Sequence, residues 1–140
     1  MNKKNNQEEK NLMNRWVFDH AYAMMDEFNM NRSEAFRRAH LARELVEALG
    51  QGIVVFEYEK KDGTLRLARG TLCKGISEKY DAYEYKTDSH EKDKYSKLDI
   101  PYWDLDKEAF RNFSVVNVKR IVEVVIKSKN QNSPDLIEFV

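Results

Sequence analysis

The chain has 140 residues, with 24 lysines and arginines against 24 aspartates and glutamates, so its formal net charge is zero. This balance excludes a uniformly basic nucleic-acid binder and confines any such contact to a local patch. The single cysteine, Cys73, cannot form an intramolecular disulfide and is typical of a reducing compartment. The sequence has no apolar run of membrane-spanning length and no signal-peptide core, so we expect a soluble cytoplasmic protein without membrane contact.

The N-terminal part of the chain predicts a helical hairpin over residues 11–50. Residues 1–10 are polar and are predicted to be disordered. Apolar residues then recur at near-helical spacing over residues 11–28, and a second apolar stripe follows after a short break. Ser33 is a suitable N-cap for the second helix, and Gly50 is suitable for its C-terminal end.

The segment from residue 53 to residue 72 predicts a β-hairpin. Its first half is rich in β-branched and aromatic residues, which favour a strand. Asp62 and Gly63 then form a pair that tolerates the positive φ angles of a tight turn. The return strand carries Leu65 and Leu67, which we expect to be available to the core.

The remaining chain predicts further short strands. A charged, tyrosine-rich insertion over residues 74–100 separates the hairpin from them, and alternation around Tyr83 and Tyr85 predicts an extra or edge strand there. Three more strands are expected, at residues 102–105, 109–116 and 120–127. Short, sequential strands favour a barrel, so residues 51–127 predict a five-stranded SH3-like barrel packed on the helices, of the α+β class. The tail, residues 128–140, adds a strand or frays.

An ordered set of motifs carries a family resemblance. After the first strand come KKDG, R-x-A-R-G-T-L, a variable linker, YWDLDK and F-R-N-F-S-V-x-N-V, between Gly52 and Val125. This set resembles the small Sm-like SH3 β-barrel proteins of the WYL-like group, which occur in bacterial genomes, phages and mobile elements. The resemblance implies a regulatory domain with a basic groove and a frequent cysteine, which bind a negatively charged ligand such as a nucleotide or a nucleic acid.

The resemblance also implies a set of ligand-binding residues. The KKDG turn matches at Lys61, the R-x-A-R-G-T segment at Arg66 and Arg69, the aromatic-R-x-F segment at Arg111, and the family cysteine at Cys73. Arginine suits a phosphate because its guanidinium offers planar, bidentate donors. The alternative is that these are solvated strand residues, and strict alternation places Arg66 and Arg69 on opposite faces unless a bulge intervenes.

Other patterns carry less functional information. The arginines of the second helix either approach a phosphate backbone or form an ordinary polar face balanced by glutamates. No nucleophile–base pair and no metal-ligand spacing stands out, so we expect no enzyme activity, no metal and no cofactor. The sequence therefore favours a non-enzymatic binding module for an anionic ligand, with a protein-interaction adaptor as the alternative.

Overall fold

The computed structural model describes residues 3–83, 96–127 and 137–139. Two long helices precede a six-stranded antiparallel sheet with the strand order β4-β3-β2-β1-β5-β6. The elements are α1 Lys3–Phe28, α2 Arg32–Leu49, β1 Gly52–Glu59, β2 Leu65–Thr71, α3 Glu78–Ala82, β3 Asp99–Asp104, β4 Ala109–Ser114, β5 Val118–Lys127 and β6 Ile137–Phe139. Across these ranges, no helix combines the length and apolar character needed to cross a lipid bilayer.

The two helix starts differ from the sequence prediction. The backbone of α1 is already helical at Lys3, within the segment predicted to be disordered. Extending an existing helix fixes one residue for each added hydrogen bond, so a polar N-terminal extension is inexpensive. The cap of α2 is Asn31 rather than Ser33, because the Asn31 side chain accepts a hydrogen bond of 2.8 Å from the backbone N–H of Glu34.

Small residues bring the helices together. Ala35, Ala39 and Ala42 of α2 are fully buried and pack in one cluster with Met24 and Ala21 of α1. Their short side chains permit a close approach of the two backbones. The next turns of α2 carry larger residues that point into the sheet: Leu45 and Leu49. Helix α2 thus joins the helical hairpin to the barrel core.

The sheet curls into a barrel-like shape. Strands β2 and β3 separate β1 from β4, which in a flat sheet would place β1 and β4 roughly 14 Å apart. Instead, the rings of Phe56 on β1 and Phe113 on β4 have centroids 5.5 Å apart. Register shifts in the β1–β5 pair, between Val55 and Phe56 and between Glu57 and Tyr58, accompany this curvature.

The predicted β-hairpin is present, but two leucines of β2 that were expected in the core lie on its solvent-exposed face. Gly63 has a φ of 87°, as the turn requires. Leu65 and Leu67 are 60% and 61% exposed, so the prediction that they join the core is wrong. The register pairs Ala68 with buried Phe56, and the two-residue period of a strand then turns both leucines to the outer face.

The later strands also differ in detail. Strand β3 begins at Asp99 and includes Pro101, which was expected to precede it. Proline is tolerated there because β3 pairs with β2 only near its C-terminal end, which leaves the Pro101 position without a partner on that side. The tail contributes β6, which pairs with β5. The insertion contains the short helix α3, and the strand predicted at Tyr83 and Tyr85 falls mostly outside the described residues.

Candidate binding groove

An open groove of about 980 Å³ lies between the tip of the β1–β2 hairpin and β4. Its charged lining residues are the cations Lys60, Lys61, Arg66, Lys107 and Arg111 and the acids Glu27, Glu59 and Asp99. The cations belong to the two hairpin turns and the strands that leave them, whereas Glu27 and Asp99 belong to the ends of α1 and β3. The groove is therefore cationic at its hairpin end and acidic at its helical end.

Two arginines reach the groove because of strand register. Arg66 lies opposite Tyr58 in the β1–β2 pair, and Arg111 lies opposite Tyr102 in the β3–β4 pair. Both tyrosines are buried, and their hydroxyl oxygens are 3.0 Å apart in a mutual hydrogen bond. Each arginine therefore shares the inner face of the sheet with a tyrosine of its neighbouring strand.

Burial keeps the hydroxyl of Tyr102 protonated. Burial raises the pKa of the Tyr102 hydroxyl far above its ordinary value, and the hydrogen bond to Tyr58 raises it further. A charged phenolate is disfavoured there because burial removes the water that would solvate it. Tyr58, the hydrogen-bond partner of Tyr102, also lines the groove and places a hydroxyl at its wall.

The charge of Arg66 is compensated within the protein. Its guanidinium donates to the carboxylate of Asp104, whose side chain is fully buried. The other carboxylate oxygen of Asp104 accepts backbone N–H groups from Asp106 and Lys107, at 3.0 and 2.9 Å. Burial is the largest single influence and opposes the charged form of Arg66, but the hydrogen bond to Asp104 and the Coulombic effects of Tyr102, Asp104 and Tyr58 together outweigh it, so the pKa of Arg66 is raised. Arg66 therefore has a structural role in the groove wall, because its positive charge is paired with Asp104.

Lys61 and Arg111 carry positive charge that no other described residue compensates. Both side chains are exposed, and neither forms a hydrogen bond or ion pair with another described residue. Glu59, a lining acid near the hairpin end, is 3.2 Å from Lys119, a cation that does not line the groove. The hairpin end of the groove consequently keeps a positive surface that is open to an anion.

Two of the predicted site residues lie elsewhere. Arg69 is on the outer face of β2, 3.6 Å from Asp106 in an exposed ion pair. Its separation from Arg66 by three positions turns it to the opposite face, as strict alternation requires. Cys73 is half-buried beyond the end of β2, where its backbone N–H donates to the Thr71 hydroxyl at 3.0 Å. Neither Arg69 nor Cys73 lines the groove.

Sequence reasoning missed three contributors. Lys60 was readable as the first lysine of the KKDG turn, and Lys107 as the basic residue of the turn after β3. The third contributor is Asp104, which stands within the YWDLDK motif. Its pairing with Arg66 joins residues 38 positions apart, and no local pattern in either segment signals such a contact.

The basic residues of α2 are engaged within the helix pair. Glu34 accepts hydrogen bonds from Arg37 at 3.0 and 2.5 Å and from Arg38 at 2.6 Å. These bonds lower the pKa of Glu34 to about 2. The guanidinium of Arg32 lies over the ring of Phe36, 4.8 Å from its centroid. Arg32, Arg37 and Arg38 are thus engaged by other side chains of α2 and do not form a free cationic stripe.

The helical hairpin, the curled sheet and the cationic groove define a small SH3-like barrel domain. The chain matches the model of the WYL_2 family, described as an Sm-like SH3 beta-barrel fold, over residues 42–119. The chain belongs to this family, which confirms the resemblance read from the motifs. No curated protein and no solved structure matches it. Within the part of the chain that the structure describes, no group of His, Cys, Asp or Glu side chains is arranged to hold a metal ion.

Proposed function

We propose that the protein is a non-enzymatic binding module for an anionic ligand, a nucleotide or a nucleic acid, which occupies the hairpin end of the groove. The observation that carries the proposal is the convergence of Lys61 and Arg111, two exposed cations without an ionic partner among the described residues, on one concave surface. Lys60 and Lys107 add positive charge at the same end. The regulatory role in a phage or mobile element that the resemblance implies belongs to this proposal.

The proposed ligand follows from the groove's chemistry. The Arg111 guanidinium can donate two parallel hydrogen bonds to a phosphate, and the lysines can add point charges. Arg66, held by Asp104, and the hydroxyl of Tyr58 form a polar wall beside them. The acids at the helical end repel phosphate, so we expect the ligand's anionic group at the hairpin end.

Calorimetry tests the proposal directly. A panel of nucleoside mono-, di- and triphosphates and short single- and double-stranded oligonucleotides is titrated at low salt, then again at higher salt. We expect at least one class to bind, with affinity that falls as salt rises because phosphate contacts release counterions. If no panel member binds tighter than about 1 mM, roughly −4 kcal/mol, the proposal is wrong.

A second candidate function, a protein-interaction adaptor, is favoured by one feature of the helices. Phe18 and Tyr22 of α1 are 42% and 47% exposed, and their rings lie 5.0 and 6.1 Å from that of Phe36 on α2. Contiguous exposed aromatic residues are typical of protein interfaces. Cross-linking in the producing cell, compared between the natural protein and a Phe18→Ser/Tyr22→Ser variant, tests this alternative, which requires one partner lost only from the variant.

A further inference from the structure

Part of strand β2 has an open edge. Strand β1 pairs with β2 along its whole length, but β3 pairs with it only at Gly70 and Thr71. One further hydrogen bond joins the backbone N–H of Leu105 to the carbonyl oxygen of Arg69, at 2.9 Å. Within the described ranges, no strand pairs with the preceding segment, residues 65–68, on this side.

The backbone groups on this edge point outwards. The N–H of Lys60 donates to the carbonyl oxygen of Thr64 at 2.8 Å, which turns the backbone of Thr64 towards β1. Backbone direction alternates along an antiparallel strand. Leu65 and Leu67 therefore direct their N–H and C=O groups away from β1, as Arg69 does in its bond to Leu105. The edge offers two donors and two acceptors in strand geometry.

The side chains around the edge differ between the two faces. Leu65 and Leu67 are well exposed on the outer face, and together they form a small apolar patch beside the edge. On the inner face, Arg66 lines the groove together with Lys107 and Arg111. Inward-pointing charges commonly protect edges against pairing, but here the charge of Arg66 is compensated by Asp104.

We propose that this edge of β2 binds an extended peptide as an additional antiparallel strand, with apolar residues over Leu65 and Leu67 and acidic residues facing Lys107 and Arg111. Every described strand pair of the sheet is antiparallel, and the added strand continues that pattern. Alternation gives the peptide one apolar and one acidic face, which complements the exposed leucines and the groove cations respectively. This mode of recognition combines backbone hydrogen bonds with alternate side-chain contacts, and it does not depend on nucleotide binding.

The probe for the first test is a short, capped, fluorescein-labelled peptide in which valine and glutamate alternate. Titration by fluorescence anisotropy at low salt is expected to saturate below about 1 mM. A peptide of alternating valine and lysine, and one with the same composition as the probe but with valines and glutamates in separate blocks, are expected not to bind. Equal binding of the blocked peptide overturns the proposal, because it shows that charge alone holds the probe.

Backbone methylation tests the strand geometry itself. In an antiparallel arrangement with valines on the leucine side, the valine N–H groups face the edge and the glutamate N–H groups face away. N-methylation of the valines is expected to abolish binding, whereas N-methylation of the glutamates is expected to change it less than about threefold. Any other result with these two methylated peptides would contradict the proposal that the peptide binds as an antiparallel strand.

Variants of the protein complete the test. The double variant Leu65→Ser/Leu67→Ser removes the apolar patch, and we expect at least a tenfold loss of peptide affinity. Val122→Ser is the matched control, since Val122 is 45% exposed on β5, which lies on the other side of β1 from β2. Circular dichroism confirms that both variants are folded. If oligonucleotides bind the natural protein and the peptide does not, the anion-binding proposal stands and this one falls.

Discussion

Arg66 and Asp104, 38 positions apart, form an ion pair between β2 and the end of β3 in which the carboxylate is fully buried. The pair links the side chains of the two strands on the inner face beyond the end of their backbone pairing, since β2 and β3 share only two register positions. The carboxylate also holds the backbone N–H groups of the following turn, so it links the turn that carries Lys107 to the hairpin that carries Lys61. The shape of the cationic end of the groove depends on this contact.

Replacing Asp104 with asparagine isolates the ion pair. The amide oxygen can still accept the two backbone hydrogen bonds, while its NH₂ group faces the Arg66 guanidinium with no acceptor between them. Removing one partner of a buried pair leaves the other charge uncompensated, so we expect Asp104→Asn to lower the free energy of unfolding by on the order of 3 kcal/mol. Urea denaturation followed by circular dichroism measures it.

Asp106→Asn is the matched control for this variant. Asp106 is exposed and lies 3.6 Å from the exposed Arg69, and exposed pairs contribute about 0–1 kcal/mol. Equal stability losses in the two variants would contradict the role assigned to the buried pair.

Gly63 is the turn residue whose conformation a side chain opposes. Its φ of 87° lies in the left-handed region, and the Asp62 carboxylate accepts the backbone N–H of Thr64 at 3.0 Å beside it. We expect Gly63→Val to cost about 1–2 kcal/mol of unfolding free energy. Gly50→Ala is the control: Gly50 has a φ of −71°, and an added Cβ meets its nearest atom at an ordinary 3.5 Å. There, stability should be unchanged or slightly higher.

The hairpin illustrates what local sequence determines. The β-branched run, the Asp-Gly turn and the family motifs were sufficient to predict the fold, because each is a property of neighbouring residues. The face of Leu65 and Leu67 was not predictable in the same way. A shift of one residue exchanges the two faces of a strand, and the register is set by the pairing of Phe56 with Ala68 across the hairpin.

In the groove, too, some features were predictable from local sequence and others depend on the assembled sheet. Lys61, Arg66 and Arg111 were nominated from motifs, and the curled sheet brings all three to one cavity. Arg69 was nominated by the same motif as Arg66 but lies on the outer face. The compensation of Arg66 by Asp104 depends on where β2 and β3 separate, which is a property of the assembled sheet.

We expect the stability of the protein to depend on pH through His20. It is 6% exposed, its ring stacks on Trp16 with centroids 3.7 Å apart, and its Nδ1–H donates to the Trp16 carbonyl oxygen at 2.7 Å. Burial lowers the pKa of His20 below 6.5, although that hydrogen bond and Asp19 oppose the shift, and the positive charge of Lys97 adds to it. The unfolded chain therefore binds a proton at His20 more readily than the folded protein does.

The sign of the effect follows from this difference. Above pH 6.5 the histidine is neutral in both states and its contribution to stability is fully present. As the pH falls through 6.5 towards the folded-state pKa, protonation of the unfolded chain lowers the free energy of unfolding. We expect the stability difference between the natural protein and His20→Gln to shrink from pH 7.5 to pH 5, measured by urea denaturation. A difference that stays constant or grows over this interval would contradict the assignment.

Arg111 provides the sharpest test of the anion-binding proposal, because it is exposed, lines the groove and has no ionic partner in the described part of the chain. Arg111→Ala should leave the fold intact and weaken binding of the best ligand from the nucleotide and oligonucleotide panel by about 1.5–3 kcal/mol, the range of a charge-assisted hydrogen bond. Arg111→Lys should restore only part of this affinity, since an ammonium group cannot reproduce the planar fork. Arg69→Ala removes an exposed strand arginine on the outer face and should change binding little. Calorimetry of the three variants at two salt concentrations separates a groove contact from general attraction: the salt dependence should weaken in Arg111→Ala and persist in Arg69→Ala. Equal losses of affinity in Arg111→Ala and Arg69→Ala would show that the ligand responds only to the overall charge. The proposal that the groove is the binding site would then be wrong.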